Sequence, residues 1–168
     1  MDNKLWRLLD KLGVLRVNGG DKLQVHGAVS LTLFHEDGTV THRVKNNLIV
    51  DVGFDFICDA IGLSTGRPNV ISHIAVGSGT TAPAPGNTAL ESEIGRKAGV
   101  YNHTAGTKIF TFQTTFNPGE ATGAITEAGI FNAAVGGAML DRVTFAVVNK
   151  GVNDTLVVTF TFTLSLPS

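Results

Sequence analysis

Apolar and polar positions alternate along much of this chain, and that period of two predicts strands. The longest instance lies near the C-terminus. There Leu156, Val158, Phe160, Phe162, Leu164 and Leu166 alternate with Thr159, Thr161, Thr163 and Ser165. A run of about eleven such residues exceeds the usual strand of five or six and marks the spine of a sheet. Its apolar side belongs to a core, and its threonine side faces water or a partner. Upstream, Phe110, Phe112 and Phe116 oppose Thr111, Gln113 and Thr115, and "AITEAGIF" and "MLDRVTFAVV" read as two more strands. Val29, Leu31 and Leu33 alternate with Ser30 and Thr32 ahead of Asp37-Gly38, a two-residue hairpin signal. With that dipeptide as the loop, Leu33 faces His42 and Leu31 faces Val44, so His42 falls on the apolar face.

The period changes in two places. In "LIVDVGFDFICDAIGL" Val52, Phe56, Ile57, Ala60 and Ile61 recur at three- and four-residue intervals, with Asp51 near the start and Gly62 at the end. This predicts a buried helix over about 51–61. At the N-terminus Leu5, Leu8, Leu9 and Leu12 share one helical stripe, with Trp6 beside them and Gly13 as a stop. So short an amphipathic helix is not stable alone and must lie on its own domain or on a neighbour. Gly19-Gly20 supplies a hinge that lets it reach outward. Residues 1–24 therefore read as a helix and arm for docking or oligomerisation. Leu5, Trp6, Leu8, Leu9 and Leu12 are its candidate partner-binding side chains. Residues 25–168 read as one mainly β domain. Its expected form is an antiparallel β-sandwich of about six or seven strands with one interposed short helix.

Composition narrows the class. The chain has 168 residues, 43% hydrophobic and 16% charged, with 20 glycines, which fits one cored domain rich in tight turns and argues against disorder. The formal net charge is −1 with no basic stripe, so no nucleic-acid partner is expected. The first residues lack the plan of a signal peptide, and no apolar run approaches the ~20 residues of a membrane span. The expectation is a soluble protein made in a reducing compartment, without a membrane partner. The single cysteine, Cys58, sits among Phe54, Phe56, Ile57 and Ile61 and is expected to be a buried, inert thiol.

Gly77-Ser78-Gly79 lacks the lysine of a phosphate loop and the third glycine of a dinucleotide fingerprint. Val76 stands where a nucleophile elbow needs glycine. The two glycines are expected to let the chain leave a strand and turn. Of the five histidines, His26, His35, His42, His73 and His103, none shows metal-ligand spacing. His35, Glu36 and Asp37 read as solvated turn residues, and His42 as a hydrogen-bonded core or interface histidine. Glu91 and Glu93 fall in "NTALESEIGR", read as a short helical turn capped by Asn87 or Thr88. Glu120 and Glu127 form the other carboxylate pair. Glu127 interrupts an apolar strand and calls for a structural ion pair with Arg96 or Arg142. No cofactor, metal ligand or catalytic residue is assigned, and no enzyme is expected.

Four segments, "KNNLIVDVGFDFICDAI", "ISHIAVGSGTTAPAPGNTALESEIGR", "GAITEAGIFNAA" and "AMLDRVTFAVV", together resemble a family of small virion structural proteins of tailed bacteriophages and prophages. The likeness spans roughly residues 45–166 and rests on the combination of segments. It implies a non-enzymatic part of the virion, a tail, fibre-adaptor or collar component assembled in the host cytoplasm. It would act by binding other virion proteins and sister subunits, as a homo-oligomer such as a trimer. A capsid head-decoration protein is the alternative within that class. A carbohydrate-binding module is disfavoured by the single Trp and single Tyr, since sugar sites use exposed aromatic platforms.

Overall fold

A computed structural model describes residues 23–166. Its elements in chain order are β1 (Gln24–Phe34), β2 (Val40–Asn46), β3 (Leu48–Ile49), α1 (Asp51–Gly62), β4 (His73–Gly77), β5 (Glu93–Ala98), β6 (Val100–His103), β7 (Ile109–Phe116), β8 (Gly123–Phe131), β9 (Met139–Lys150) and β10 (Thr155–Ser165). They form two five-stranded antiparallel sheets, ordered β2-β1-β10-β7-β6 and β3-β9-β8-β4-β5. The fold is mainly β with a single helix among the described residues. The expected N-terminal helix, with Leu5, Trp6, Leu8, Leu9 and Leu12, lies outside the described residues.

The long alternating run is β10, and it occupies the middle of the first sheet. Leu156, Val158, Phe160 and Phe162 are buried, while Thr159, Thr161 and Thr163 are half-exposed. Their apolar side joins Val29, Leu31 and Leu33 of β1 and Phe112 and Phe116 of β7 in one cluster. The second sheet adds Ile74, Val76, Ile125, Ile130 and Val143 to that same cluster. Both sheets therefore turn an apolar face into one core, the main favourable term for a fold of this kind.

The second sheet is buried on its other face as well. Ala75, Phe131 and Met139 alternate with the core-facing residues and pack with Leu90 from the long connection between β4 and β5. This double burial is why β8 is enclosed almost continuously from Ile125 to Phe131. Helix α1 packs on β9. A Cβ at Gly53 would collide with the backbone carbonyl of Leu140, so glycine is what lets helix and strand come this close.

The β1–β2 hairpin departs from the expected register. Leu33 faces Thr41, Leu31 faces Arg43, and Thr32 faces His42. The loop runs over residues 35–39, closed by His35 N–H donating to Thr39 O at 2.9 Å. Asp37 folds its carboxylate back onto Thr39, accepting from N at 2.9 Å and Oγ1 at 2.6 Å. His42 is consequently exposed, and Thr32 Oγ1 is its hydrogen-bond partner at 3.0 Å. The slip costs little because β2 is an edge strand and almost wholly exposed. The inward face of β1 is set instead by its pairing with β10.

Three further expectations are corrected. Helix α1 is not a buried helix: Gly53 is its buried residue, Phe56 and Ile57 are half-buried, and Phe54 and Ile61 are exposed. Cys58 is exposed on that helix, because it falls outside the stripe that meets β9. Residues 87–96 form no helical turn. The chain crosses the second sheet as irregular backbone and enters β5 at Glu93.

Candidate functional site

Glu127 stands on the outward face of β8, directly opposite Gly77 of β4 and Thr144 of β9. It is fully buried. Four nitrogen donors converge on its carboxylate. Oε1 accepts from the backbone N–H of Gly79 at 3.0 Å and of Ser92 at 2.7 Å. Oε2 accepts from Glu91 N–H at 3.1 Å and from Arg142 Nε at 2.9 Å. Arg142 Nη2 also lies 2.8 Å from Oε2, outside hydrogen-bond alignment.

Arg142 is the expected structural partner, and Arg96 is not. Arg142 lies opposite Gly129, two residues along the face from Glu127, and is 2% exposed. Its Nη1 donates to Asn87 Oδ1 at 3.0 Å, an oxygen that also accepts from Ala84 N–H at 2.8 Å. Glu91 Oε2 stands 3.6 Å from Arg142 Nη2. Glu91 accepts from Thr81 N–H at 2.8 Å and from Thr81 Oγ1 at 2.9 Å, which, in that order, hold its carboxyl below the usual range. Arg96 instead pairs with Glu93 through Nε at 3.0 Å and Nη2 at 2.6 Å, and its guanidinium lies 3.6 Å over the Phe131 ring.

The glycine-rich stretch thus is an anion cradle, and its anion is the chain's own Glu127. A Cβ on Gly77 would sit 2.6 Å from Glu127 Oε1, and one on Gly79 would sit 2.5 Å from the same atom. These glycines make room for a carboxylate. That adds to the expectation that they let the chain leave a strand, as it does where β4 ends at Gly77. Lacking any exposed acceptor, Glu127 cannot reach a substrate; the arrangement fastens the 78–92 connection over the sheet.

A second buried carboxyl, Asp141, shares the core-facing side of β9 with its partner Ile130. Asn47, on the link between β2 and β3, donates from Nδ2 to Asp141 Oδ2. Asp141 Oδ1 and Asn47 Oδ1 are both buried without a donor. Burial pushes the Asp141 carboxyl well above the usual range, against the opposing pull of the Asn47 hydrogen bond. The orphaned oxygens and the raised carboxyl both favour the protonated, neutral form of Asp141, which can donate where an ionised carboxylate cannot.

At one end of the molecule the β1–β2 and β9–β10 loops are tied together. His35 Nδ1 lies 3.1 Å from Asp154 Oδ2 and its Nε2 lies 3.0 Å from Thr41 Oγ1. Asp154 also accepts from Gly151 N–H at 2.8 Å and Glu36 N–H at 3.0 Å, and Glu36 Oε2 accepts from Asn153. The Gly151 and Glu36 amides depress the Asp154 carboxyl, with His35 adding to them. His35 is therefore an anchored, half-buried side chain, contrary to the expectation of a solvated turn residue, while Glu36 and Asp37 are exposed in the turn as expected. The hydroxyl–imidazole–carboxylate order has the connectivity of a hydrolytic triad, yet its carboxylate is committed to two backbone amides that lock loops together.

Glu120 takes Lys97 Nζ at 2.6 Å and Asn117 N–H at 2.7 Å, which lower its carboxyl, and it does not approach Glu127 as a pair. His26 contacts Gln24, His73 contacts Ser72, and His103 contacts the Ile109 carbonyl. Among the described residues no group of three or more His, Cys, Asp or Glu is placed to hold a metal ion. No described helix is long and apolar enough to cross a membrane.

Sequence reasoning missed Asn47, Asp141 and Asp154 in this polar framework, and read Asn87 as a helix cap where it accepts from Arg142 and Ala84 instead. Asp141-Arg142 inside "MLDRVTF" was a visible signal, since two charges interrupt an apolar strand. Asp154, in a loop, gave none. No family model, curated protein or solved structure matches this chain.

Proposed function

We propose that this protein is a non-enzymatic structural component of a tailed-bacteriophage virion, a tail, fibre-adaptor or collar subunit that acts by protein–protein assembly. The observation that carries this reading is the convergence of the four segments that resemble the phage family. Asn87 and Glu91, Glu127, and Arg142 come from three of them and meet in one buried network. Asn47, from the remaining segment, bonds Asp141 one residue from Arg142. Glycines 77 and 79 admit Glu127. The resemblance therefore falls on residues that build a scaffold, as expected where architecture is what the family shares.

Two five-stranded sheets with a common core support the β-sandwich reading of the domain. Surfaces suited to assembly lie at the sheet edges. Val40 and Val44 on β2 and Val100 and Tyr101 on β6 are each more than half exposed, and an unpaired edge is a template for another chain. The half-exposed threonines of β10 lie between those edges.

The test is to locate the subunit in purified particles and count it by quantitative mass spectrometry. A tail part occurs in a small multiple set by the tail's rotational symmetry. A count proportional to capsid area assigns it to the head surface instead. Absence from particles refutes the proposal, and a specific hit on a glycan array replaces it with the sugar-binding reading.

A further inference from the structure

An apolar groove of about 280 Å³ opens where β1 begins, lined by Leu23 just ahead of that strand, Val25 within it, Phe56, Ile57 and Ile61 of α1, and Val70 beyond it. Every described residue that lines it is apolar. Its rim exposes large hydrophobic side chains: Leu23 is 61% exposed, Val70 76% and Ile61 77%. A contiguous apolar surface of this kind marks a place that something covers.

We propose that the groove is the docking site of the chain's own N-terminal segment, residues 4–12, held in the same molecule. Leu23 is both the first described residue and part of the rim, so the preceding chain starts at the groove. Ten residues, 13–22, separate Leu12 from Leu23. At ~3.3–3.6 Å per residue they reach about 35 Å when extended, ample to double back, and Gly13, Gly19 and Gly20 ease the reversal. The segment offers Leu5, Trp6, Leu8, Leu9 and Leu12 to an apolar surface, and Lys4, Arg7, Asp10 and Lys11 to water. A short tether gives the segment a millimolar effective concentration at its own groove, above that of a sister copy at ordinary protein concentrations. Of the two seats the sequence leaves open, its own domain and a neighbour, this takes the first, and it is independent of the virion reading.

Trp6 is the only tryptophan, so its emission reports where the segment sits. In the full chain it is expected to emit at short wavelength and to resist acrylamide quenching, unchanged on dilution. Ile61→Asp and Val70→Asp, both at exposed rim positions, should shift that emission to longer wavelength and increase quenching, with the β signal in circular dichroism intact. Val152→Asp, in the loop between β9 and β10, should do neither. A second measurement does not depend on those variants: in a Cys58→Ser background, Leu9→Cys with Val70→Cys should form a disulfide that migrates as a monomer. Solvent-like Trp6 emission in the unaltered chain overturns the proposal, as does emission indifferent to both rim substitutions. A red shift on dilution, or a disulfide found only in dimers, overturns it in favour of a sister copy.

Discussion

Arg142 and Glu127 reach each other diagonally across β9 and β8, Nε to Oε2 at 2.9 Å, with 2% and 0% of their surfaces exposed. Gly129 lies opposite Arg142, where a Cβ would press on Asp141 O and on Leu90 at 3.0 Å, and the 78–92 connection closes over the two charges. The pair joins sheet to connection as well as strand to strand. Removing one partner leaves the other charge buried, which costs about 3–5 kcal/mol.

Glu127→Ala and Arg142→Ala are each expected to destabilise the domain by about 3–5 kcal/mol, and the double variant by clearly less than the sum. Urea denaturation of the three variants measures the coupling. Additive losses would show that the two residues do not depend on one another.

Gly79→Ala places a methyl 2.5 Å from Glu127 Oε1. The connection must lift, and a loss of about 1–3 kcal/mol is expected. Hydrogen exchange should quicken at the Ser92 and Glu91 amides that Glu127 now holds. Unchanged protection there would mean that the cradle does not hold the connection.

Asp141 and Asp154 bias stability in opposite directions with pH. Asp141 has a raised carboxyl in the fold, so above about pH 4 the unfolded chain releases a proton that the folded chain retains. Stability then falls as pH rises, by up to about 1.4 kcal/mol per unit, until the folded carboxyl also ionises. Asp141→Asn keeps an acceptor for Asn47 Nδ2 and brings a donor of its own without a titrating group. It should raise the urea midpoint more at pH 7.5 than at pH 4.5. An equal shift at both values would contradict the neutral assignment.

Asp154 has a lowered carboxyl. Its stabilisation is present above the unfolded value near pH 4 and is lost as pH falls through the folded value. Asp154→Asn should flatten the acid limb of the stability curve and speed exchange at Glu36 and Gly151. An unchanged acid limb would assign that limb to other carboxylates.

Phe160 is fully buried in the middle strand, and Thr161 is half-exposed beside it. Phe160→Asp is expected to abolish cooperative folding, since it places an unpaired charge in the core. Thr161→Asp should keep the fold and weaken assembly. Thermal melting of the two variants, with a particle-incorporation assay for the second, checks both outcomes.

The sequence alone determined what short-range periodicity encodes. The alternation of β10 and β7, the inward side of β1 and the span of α1 follow from where apolar residues recur, because a strand or helix must bury that side whatever lies opposite. A carboxylate inside an apolar strand likewise demanded an ion pair, and Glu127 has one. Tertiary structure decided everything that depends on contacts distant in sequence. The hairpin register followed local side-chain capture in the loop because the exposed β2 edge imposes no hydrophobic preference. The 87–96 stretch gave up its helical turn to hydrogen bonds with Glu127 and Arg142. Cys58 and His42 fell outside because burial depends on what covers a surface. In sequence Gly77 and Gly79 read as a strand exit, and β4 does end at Gly77; that they also admit a carboxylate was decided by Glu127, which reaches Gly79 from β8, 48 residues later.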